Sequence, residues 1–436
     1  MHVRTILNYN PIVINFSSIL VYLIPLSLLT GPFFPDLSIS LVSIIFLYYA
    51  FKYRLIKYFQ NRFFYVFIIF YIYLIINSIF SENVIYSLEN SFFYFRFGIF
   101  SLSVWFLIDN NKNFKNHFAI IFLITFFYAI FDGYYQYFFG KNLFGFGIED
   151  NIRLSLSFND KLILGGYLSR LFPILVASII ALSSNKLTLI TLPLILILSD
   201  TLIYISGERT ALGLMMLSTI LIIILLSRYR IIRIITLVLS VSVIILLTNI
   251  DSDIRDRNIN KTIEQFGFSE TSRNNTNLDD KNVSERIYIF SPIHESHLRS
   301  AWKMFRDSPI LGKGVDSFRI HCNEEKYNYD NYSCSTHPHH TYVQLLAETG
   351  LIGFTVILSL FVFLSFKLIH SFYLAIKNKT HLLNDYQILL IIAFILTLWP
   401  LFPTLNFFNN WINIIYFLPI GFYLHSLEEN KKNVES

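Results

Sequence analysis

Long apolar runs separated by short polar connections dominate the chain and predict membrane-spanning helices. A helix needs roughly 20 apolar residues to cross about 30 Å of hydrocarbon, and by this measure the second and eleventh runs are marginal. The runs lie near residues 12–30, 37–51, 63–80, 91–108, 117–138, 162–183, 187–205, 210–227, 231–249, 342–369, 386–400 and 408–425. The pattern predicts an all-α integral membrane protein with about twelve transmembrane helices.

The composition excludes an ordinary soluble protein. Of the 436 residues, 54% are hydrophobic, and a soluble chain of this length would expose too much apolar surface. The first apolar run is not followed by a small-residue cleavage site, so we expect a retained helix rather than a removed signal peptide. No internal repeat is visible, which disfavours the inverted-repeat transporter folds.

Basic residues fall on one side of the predicted helices. With the N-terminus in the cytoplasm, the short outer connections at 31–36, 81–90 and 401–407 hold no Lys or Arg. The cytoplasmic connections then hold Lys52, Arg54, Lys57, Arg62, Lys112, Lys115, Lys186, Arg228, Arg230, Arg233, Lys377, Lys379, Lys431 and Lys432. This asymmetry follows the positive-inside rule and predicts a multi-pass protein with both termini in the cytoplasm.

Residues 250–341, here called the outer segment, form the only long hydrophilic stretch. It divides the chain into nine predicted helices in 1–249 and three more, followed by a cytoplasmic tail, in 342–436. Its Lys and Arg nearly balance its Asp and Glu, which excludes a nucleic-acid surface. The orientation places this segment outside the membrane.

An amphipathic helix is predicted inside the outer segment. Leu298, Ala301, Trp302 and Phe305 recur at helical spacing within 296–307. We expect this helix to lie on the bilayer or on the helix bundle.

Three histidines precede the tenth apolar run, in the stretch His337-Pro338-His339-His340-Thr341. Because imidazole can take or give a proton near neutral pH, this cluster at the outer boundary is a candidate reaction centre. The alternative is that the histidines only cap the helix.

Basic residues in two short outer connections break the charge rule. Arg153 lies in 139–161, and Arg209 lies in the turn Ser206-Gly207-Glu208-Arg209-Thr210. A guanidinium at the membrane boundary is costly without an anionic partner, and its planar fork matches phosphate oxygens. We therefore interpret this region as a candidate anion site. Arg209 could instead reach lipid headgroups or pair with Glu208.

Other chemistry is not supported by the motifs. His294 and His297 are three residues apart, which is not the zinc-protease spacing, and no third ligand is evident. Neither a phosphate-binding loop nor a dinucleotide fingerprint is present. Asp36 stands alone in its turn, without the second carboxylate that a metal-bound diphosphate would require. We expect no metal and no cofactor.

Cys322 and Cys334 are the only cysteines, and both fall in the outer segment. A disulfide between them would stabilise this short loop by about 3 kcal/mol. Such bonds persist in oxidising compartments, whereas the alternative is two free thiols.

Several of these stretches together resemble the bacterial O-antigen ligases, over about residues 135–355. The resemblance rests on Tyr135-Gln136-Tyr137-Phe138-Phe139-Gly140, Arg153-Leu154-Ser155-Leu156-Ser157-Phe158, Ser206-Gly207-Glu208-Arg209-Thr210-Ala211, Arg299 with Trp302, Phe305 and Pro309-Ile310-Leu311-Gly312-Lys313-Gly314, His337-Pro338-His339 and Leu345-Leu346-Ala347-Glu348-Thr349-Gly350. The family usually has Asn after the second histidine, where this chain has His340. That departure leaves open which histidine acts.

The resemblance implies a GT-C-like bundle with short amphipathic helices in a large periplasmic loop. It implies a metal-independent glycosyltransferase that moves a glycan from undecaprenyl diphosphate to an acceptor, with lipid A–core the expected one, at the periplasmic face of the inner membrane. His339 would be the general base, with His337 or His340 assisting or replacing it. Arg209 and Arg299, with Arg153 in support, would bind the diphosphate.

Two other functions stay open. A polymerase of the same superfamily would share the donor chemistry and differ in its acceptor. A flippase or transporter of lipid-linked glycans would need ionisable groups within its spans, whereas the apolar runs are largely free of charge.

Overall fold

The structure is a computed structural model that describes residues 9–148, 154, 163–182, 185–260, 262–263, 291–378 and 382–435. Side chains at 185–189, 378 and 432–435 are not part of this description. Over the described ranges the protein is helical and contains no β-strand, in agreement with the predicted all-α class. Lys141 and Gly147 form an isolated antiparallel bridge.

Seventeen α-helices make up this part of the chain. They are α1 Pro11–Tyr22, α2 Ile24–Ser27, α3 Phe33–Tyr53, α4 Arg62–Ile79, α5 Val84–Phe92, α6 Phe95–Asn110, α7 Phe114–Phe139, α8 Leu164–Ala181, α9 Asn185–Ile205, α10 Arg209–Leu225, α11 Arg230–Ile250, α12 Ser252–Arg255, α13 Pro292–Asp307, α14 Phe318–His321, α15 Thr341–Asn378, α16 Asp385–Thr397 and α17 Asn410–Glu435. A 3₁₀ turn at Ile56–Tyr58 and a π turn at Asp256–Asn260 accompany them.

Each of the twelve apolar runs overlaps at least one helix of the described chain. Seven helical stretches are long and apolar enough to cross a membrane. They are Phe33–Tyr53, Arg62–Ile79, Val84–Asn110, Phe114–Phe139, Leu164–Ala181, Arg230–Ile250 and Thr341–Lys377. The architecture is that of a multi-pass helical membrane protein, and the full number of twelve spans stays a prediction.

Small residues let the central helices pack closely. Ser101 of α6 donates its hydroxyl to the Phe417 carbonyl of α17 at 2.8 Å. A Cβ on Gly421 of α17 would lie only 2.6 Å from the Val104 side chain of α6. Such small residues allow two helix backbones to approach each other closely. In a membrane this close packing stabilises helix association, because the hydrophobic effect does not drive it there.

Charged residues lie inside the bundle, although the apolar runs suggested spans largely free of charge. Arg233 of α11 donates two hydrogen bonds to Asp200 of α9, at 2.7 and 2.9 Å, and Arg170 of α8 is only 5% exposed. A buried guanidinium is tolerated when a carboxylate pairs with it and polar groups complete its hydrogen bonds. The Asp200–Arg233 pair, supported by Ser240 at 2.9 Å from Asp200, meets that condition.

The predicted amphipathic helix exists as α13, but its packed face differs from the expected one. Ala301 and Met304 are buried, whereas Trp302 is 50% exposed. Ser291 begins the helix as its N-cap and accepts from the His294 N–H at 3.3 Å. The buried face packs on α15, around Ala347.

A break in α15 fastens the outer segment to the bundle. Gly350 has φ of +61° and ψ of −164°, which is not a helical conformation. Backbone groups at this break therefore need hydrogen-bond partners from outside the helix. The loop after α13 supplies partners: Lys313 and Gly314 donate their N–H groups to the Ala347 and Glu348 carbonyls, both at 2.9 Å. This backbone seam fixes α13 relative to the start of α15.

Candidate active site

The histidine-rich segment before α15 is held by the connection between α16 and α17. The Thr404 N–H donates to the His339 carbonyl at 2.9 Å, and the Thr404 hydroxyl accepts from the Thr341 N–H at 2.7 Å. His339 has φ of +56°, in the left-handed region that residues other than glycine rarely adopt. Because tertiary contacts over-determine this conformation, they also fix where the His339 side chain points.

His340 is used as a structural cap in this structure. Its Nε2 lies 2.9 Å from the Pro400 carbonyl, and its Nδ1 accepts from the Val343 N–H at 3.3 Å. The carbonyl can only accept, so Nε2 carries the proton and Nδ1 is the acceptor. Both nitrogens of His340 are therefore engaged in holding the helix start.

Four other imidazoles come together at this point: His294, His297, His337 and His339, here called the imidazole cluster. The His339 ring centroid lies 4.0 Å from that of His337, 4.8 Å from that of His294 and 5.3 Å from that of His297. The cluster thus joins α13 to the segment before α15. His294 and His297 were considered as a metal pair in the sequence, and the structure instead places them beside His339.

Burial keeps the imidazole cluster uncharged. Desolvation, reinforced by the neighbouring imidazoles, lowers the pKa of His339 to about 2, and desolvation lowers that of His337 to about 4. Burial also lowers the pKa of His294 and of His297. At neutral pH these rings are neutral, which is the form that accepts a proton.

Arg209 borders the imidazole cluster. Its positive charge is the second cause, after burial, of the lowered pKa of His294. Its guanidinium also donates to the Thr262 hydroxyl at 3.3 Å. His294 therefore has both a cation and the His339 ring in its surroundings.

Arg299 is directed to partners on its own side of α13. It pairs with Glu295 at 2.5 Å and donates to the Tyr329 hydroxyl at 3.3 Å, with its guanidinium 4.8 Å from the Tyr329 ring centroid. Residues two positions apart on a helix face different directions, so Arg299 and His297 point apart. The predicted third cation, Arg153, lies outside the described residues.

The comparison with protein families bears on residues 192–358, which match the family model described as O-antigen ligase. The chain carries an O-antigen ligase domain. The match confirms the resemblance inferred from the motifs, and it contains Arg209, Arg299 and His339. A search of curated proteins finds no match. The coarser placement, in the superfamily of O-antigen ligases and polymerases, follows from the family match.

The O-antigen ligase domain also contains a cation that the sequence interpretation missed. Arg319 follows the glycine-rich loop, and its charge contributes to the lowered pKa of His337. It pairs with Asp316 at 3.5 Å, and Asp316 accepts from the Asn406 amide at 2.6 Å. Arg319 thus borders the cluster from the side of α14. No motif marks it, because only the fold brings α14 to the histidines.

One group of side chains in the described chain has the spacing of a metal site. Ligand atoms of Glu82, His321 and Glu324 all lie within 4.8 Å of one another. Lys313 pairs with Glu82 at 2.9 Å, and Lys326 pairs with Glu324 at 3.2 Å. Each of the two carboxylates already has a lysine partner, which disfavours a further cation. We therefore interpret the group as an ion-pair network that supports the loop.

Cys322 and Cys334 are joined as a disulfide, with their Cα atoms 5.0 Å apart. Cys322 belongs to a small apolar core with Phe318 and Tyr327. The bond closes the loop that leads directly into His337. The O-antigen ligase domain therefore holds its histidines by covalent, backbone and packing constraints together.

Taken together, the geometry suits proton abstraction beside a bound anion. Neutral imidazoles supply a proton acceptor, while the positive charge of Arg209 acts on His294 and that of Arg319 acts on His337. A buried setting strengthens both effects, because charges act over lower dielectric there.

Proposed function

We propose that the protein is a glycosyltransferase that moves a glycan from undecaprenyl diphosphate to an acceptor hydroxyl, with lipid A–core as the acceptor. The reaction would take place at the periplasmic face of the bacterial inner membrane. The observation that carries the proposal is that the Arg209 charge acts on His294, whose ring centroid lies 4.8 Å from that of His339, within an O-antigen ligase domain. A leaving diphosphate and an activated hydroxyl need such a pair of groups.

In the proposed step the acceptor oxygen attacks the anomeric carbon of the donor glycan. His339 takes the hydroxyl proton, and the bond from that carbon to the diphosphate oxygen breaks, with its electron pair leaving on the diphosphate. A positioned base of this kind typically contributes about 10²–10⁴-fold. Arg209, supported by Arg319 and by the predicted cation Arg153, would stabilise the charge that grows on the leaving oxygen, whereas Arg299 is directed to Glu295 and Tyr329. An in-line attack would invert the anomeric centre.

Donor binding would also tune the base. The low pKa of His339 makes it a weak proton acceptor in the free protein, because a base works best when its pKa is near the working pH. A bound diphosphate brings negative charge to the imidazole cluster and raises its pKa values. The base would thus become effective only when the donor is in place.

Arginines would take the role that a divalent cation has in other diphosphate-dependent transferases. The one carboxylate in the 31–36 turn, Asp36, pairs with Arg96 at 2.7 Å. We therefore propose that transfer proceeds without a metal ion, and expect full activity in the presence of EDTA.

The charged residues inside the bundle weaken one argument against a flippase. Asp200 and Arg233 are nevertheless satisfied by each other, with exposed fractions of 7% and 1% for their side chains. A closed pair of this kind does not provide a cationic path for a lipid phosphate. The groups with available chemistry gather instead at the imidazole cluster, which favours transfer over transport.

The test is glycan transfer by purified protein in detergent, with undecaprenyl-diphosphate glycan as donor. Glycan attached to added lipid A–core indicates a ligase, whereas donor glycans joined to one another indicate the polymerase. Turnover in detergent needs no ion gradient. If neither product forms and the protein instead moves the donor across proteoliposome membranes, the transferase proposal is wrong.

A further inference from the structure

Arg170 is a buried cation that the motifs of the O-antigen ligase domain do not include. It lies on α8 and is 5% exposed, and its Nε has no hydrogen-bond partner among the described residues. Helical side chains lean toward the N-terminus, and accordingly one Arg170 amino group donates to the Gly166 carbonyl at 3.3 Å. The guanidinium therefore faces the first turn of α8. A charged group kept at such a position is costly, which makes a functional role worth testing.

On one side of Arg170 lies the turn that carries Arg209. The Glu208 carboxylate accepts from the Gly165 and Gly166 N–H groups, at 2.6 and 3.0 Å, and so caps the N-terminus of α8. Glu208 also acts electrostatically on Arg170. The Glu208 carboxylate is therefore directed to the first turn of α8.

The two glycines make this approach possible. A Cβ on Gly165 would lie 2.9 Å from both the Ala211 side chain and the Ser206 hydroxyl. A Cβ on Gly166 would lie 3.0 Å from the Arg170 guanidinium. Any larger residue would push the 206–211 turn away from α8. The contact between Glu208 and α8 is therefore built into the local sequence.

Arg170 is also linked electrostatically to the residues that hold the histidine segment. Tyr416 of α17 acts electrostatically on Arg170, and its hydroxyl interacts with Thr341. The Thr341 hydroxyl donates to that of Thr404 at 2.9 Å, and the Thr404 N–H holds the His339 carbonyl. Arg170 is thus linked both to the turn that carries Arg209 and to the residues that hold the His339 backbone.

We propose that Arg170 is a positioning residue that sets the relative placement of Arg209 and His339. Its positive charge holds the Glu208 carboxylate on α8 and away from the anion site, while its electrostatic interaction with Tyr416 links it to the histidine segment. Arg170 itself is too buried to touch substrate. This inference rests on the proposed transfer reaction, since Arg209 and His339 act together only in that reaction.

A double-mutant cycle between Arg170 and Glu208 tests the inference. Arg170→Gln leaves the Glu208 carboxylate without its buried counter-charge, and we expect transfer to fall about 100-fold, the loss typical of a misplacement near 1 Å. Adding Glu208→Gln removes the uncompensated charge and should recover about tenfold of that loss. Arg170→Lys keeps the charge and should retain more activity than Arg170→Gln. Ser178→Ala, at another buried position of α8, is the matched control.

Activity of the single variant equal to wild type would overturn the inference, and so would a double variant no better than Arg170→Gln. Hydrogen exchange over 204–211 gives a readout that does not depend on transfer. It should rise in Arg170→Gln and return toward the wild-type rate in the double variant. An inactive wild-type protein with this exchange pattern would contradict the proposed function alone, whereas unchanged exchange would contradict the role of Arg170. If Arg170→Gln does not fold, Arg170→Lys is compared with Arg170→Lys/Glu208→Gln instead. Because Arg170→Lys keeps the counter-charge of Glu208, the single variant should then be more active than the double variant.

Discussion

His339 and His340 are adjacent in the sequence, yet their surroundings give them different roles. His340 has both ring nitrogens engaged, with the Pro400 carbonyl and the Val343 N–H. His339 has its backbone held by Thr404 and its ring among three other imidazoles. His340 is therefore a helix cap and His339 a candidate base, a distinction that the sequence left open.

The capping role of His340 predicts how substitutions affect stability. His340→Ala removes the acceptor for the Val343 N–H and should lower the free energy of unfolding by about 1 kcal/mol, the usual value of an N-cap. His340→Asn keeps a short side-chain acceptor and should lose less. Thermal unfolding of detergent-solubilised protein measures both. Equal melting temperatures for wild type and His340→Ala would contradict the assignment.

The imidazole cluster predicts a stability that falls with falling pH. The pKa of His337 is about 4 in the folded protein, below its ordinary value near 6.5, so the unfolded chain binds more protons between these values. Stability is then complete above about pH 6.5 and declines as pH falls toward 4, by about 3 kcal/mol for this group at most. Melting curves of wild type and His337→Asn between pH 4 and 7.5 give the measurement.

The matched control for the pH series is His370→Asn, on an exposed face of α15. It should keep the wild-type slope, whereas His337→Asn should flatten it. Identical slopes in all three proteins would show that the cluster does not stay neutral on folding.

The sequence contained part of this site but not its assembly. The His337-Pro338-His339 stretch and Arg209 could be recognised because each interrupts or borders an apolar run. His294 and His297 were set aside for want of a third partner, since their partners lie some forty positions later and meet them only through tertiary packing. For Arg299, the Glu295 four residues earlier was a visible signal of an ion pair.

At the scale of elements, the break in α15 determines how the outer segment sits on the bundle. Periodicity predicted one long helix here, because the residues around Gly350 are mostly apolar and carry no turn signal beyond two glycines, Gly350 and Gly353. The positive φ at Gly350 and the backbone bonds from Lys313 and Gly314 arise only when the loop is present. Element existence was therefore predictable, and the interruption was not.

Gly350→Ala should be strongly destabilising. The added Cβ would collide with the Ile310 carbonyl, and the left-handed φ disfavours a side chain, so we expect a loss of about 1–3 kcal/mol or more. Gly140→Ala is the control, since Gly140 has φ of +75° but no atom within 4 Å of an added Cβ. Melting temperatures separate collision from backbone strain. A loss no larger than that of Gly140→Ala would contradict a stabilising role of the close backbone contact at Gly350.

At the scale of the whole molecule, hydropathy predicted the helices but did not predict the charged residues buried inside the bundle. Apolar runs are long enough to hide a single Arg170 or an Asp200, and only packing shows which helices bury them. The positive-inside pattern predicts that α13 and the imidazole cluster face the periplasm and that both termini are cytoplasmic.

Cysteine labelling tests this orientation. Arg306→Cys, on the exposed face of α13, should react with a membrane-impermeant maleimide in intact spheroplasts, because the periplasmic side is accessible. Lys377→Cys, near the opposite end of α15, should react only after lysis. The native cysteines are bonded to each other and do not compete. The reverse labelling order would refute the predicted topology.

The most direct test of the central claim is the rate of glycan transfer from undecaprenyl diphosphate by wild type, His339→Ala and Arg209→Ala, with His370→Ala and Arg306→Ala as matched controls. We expect losses of about 10²–10⁴-fold in His339→Ala and of comparable size in Arg209→Ala, with both controls at the wild-type rate. Folded, inserted His339→Ala or Arg209→Ala protein that transfers glycan at the wild-type rate would contradict the proposed roles of these two residues.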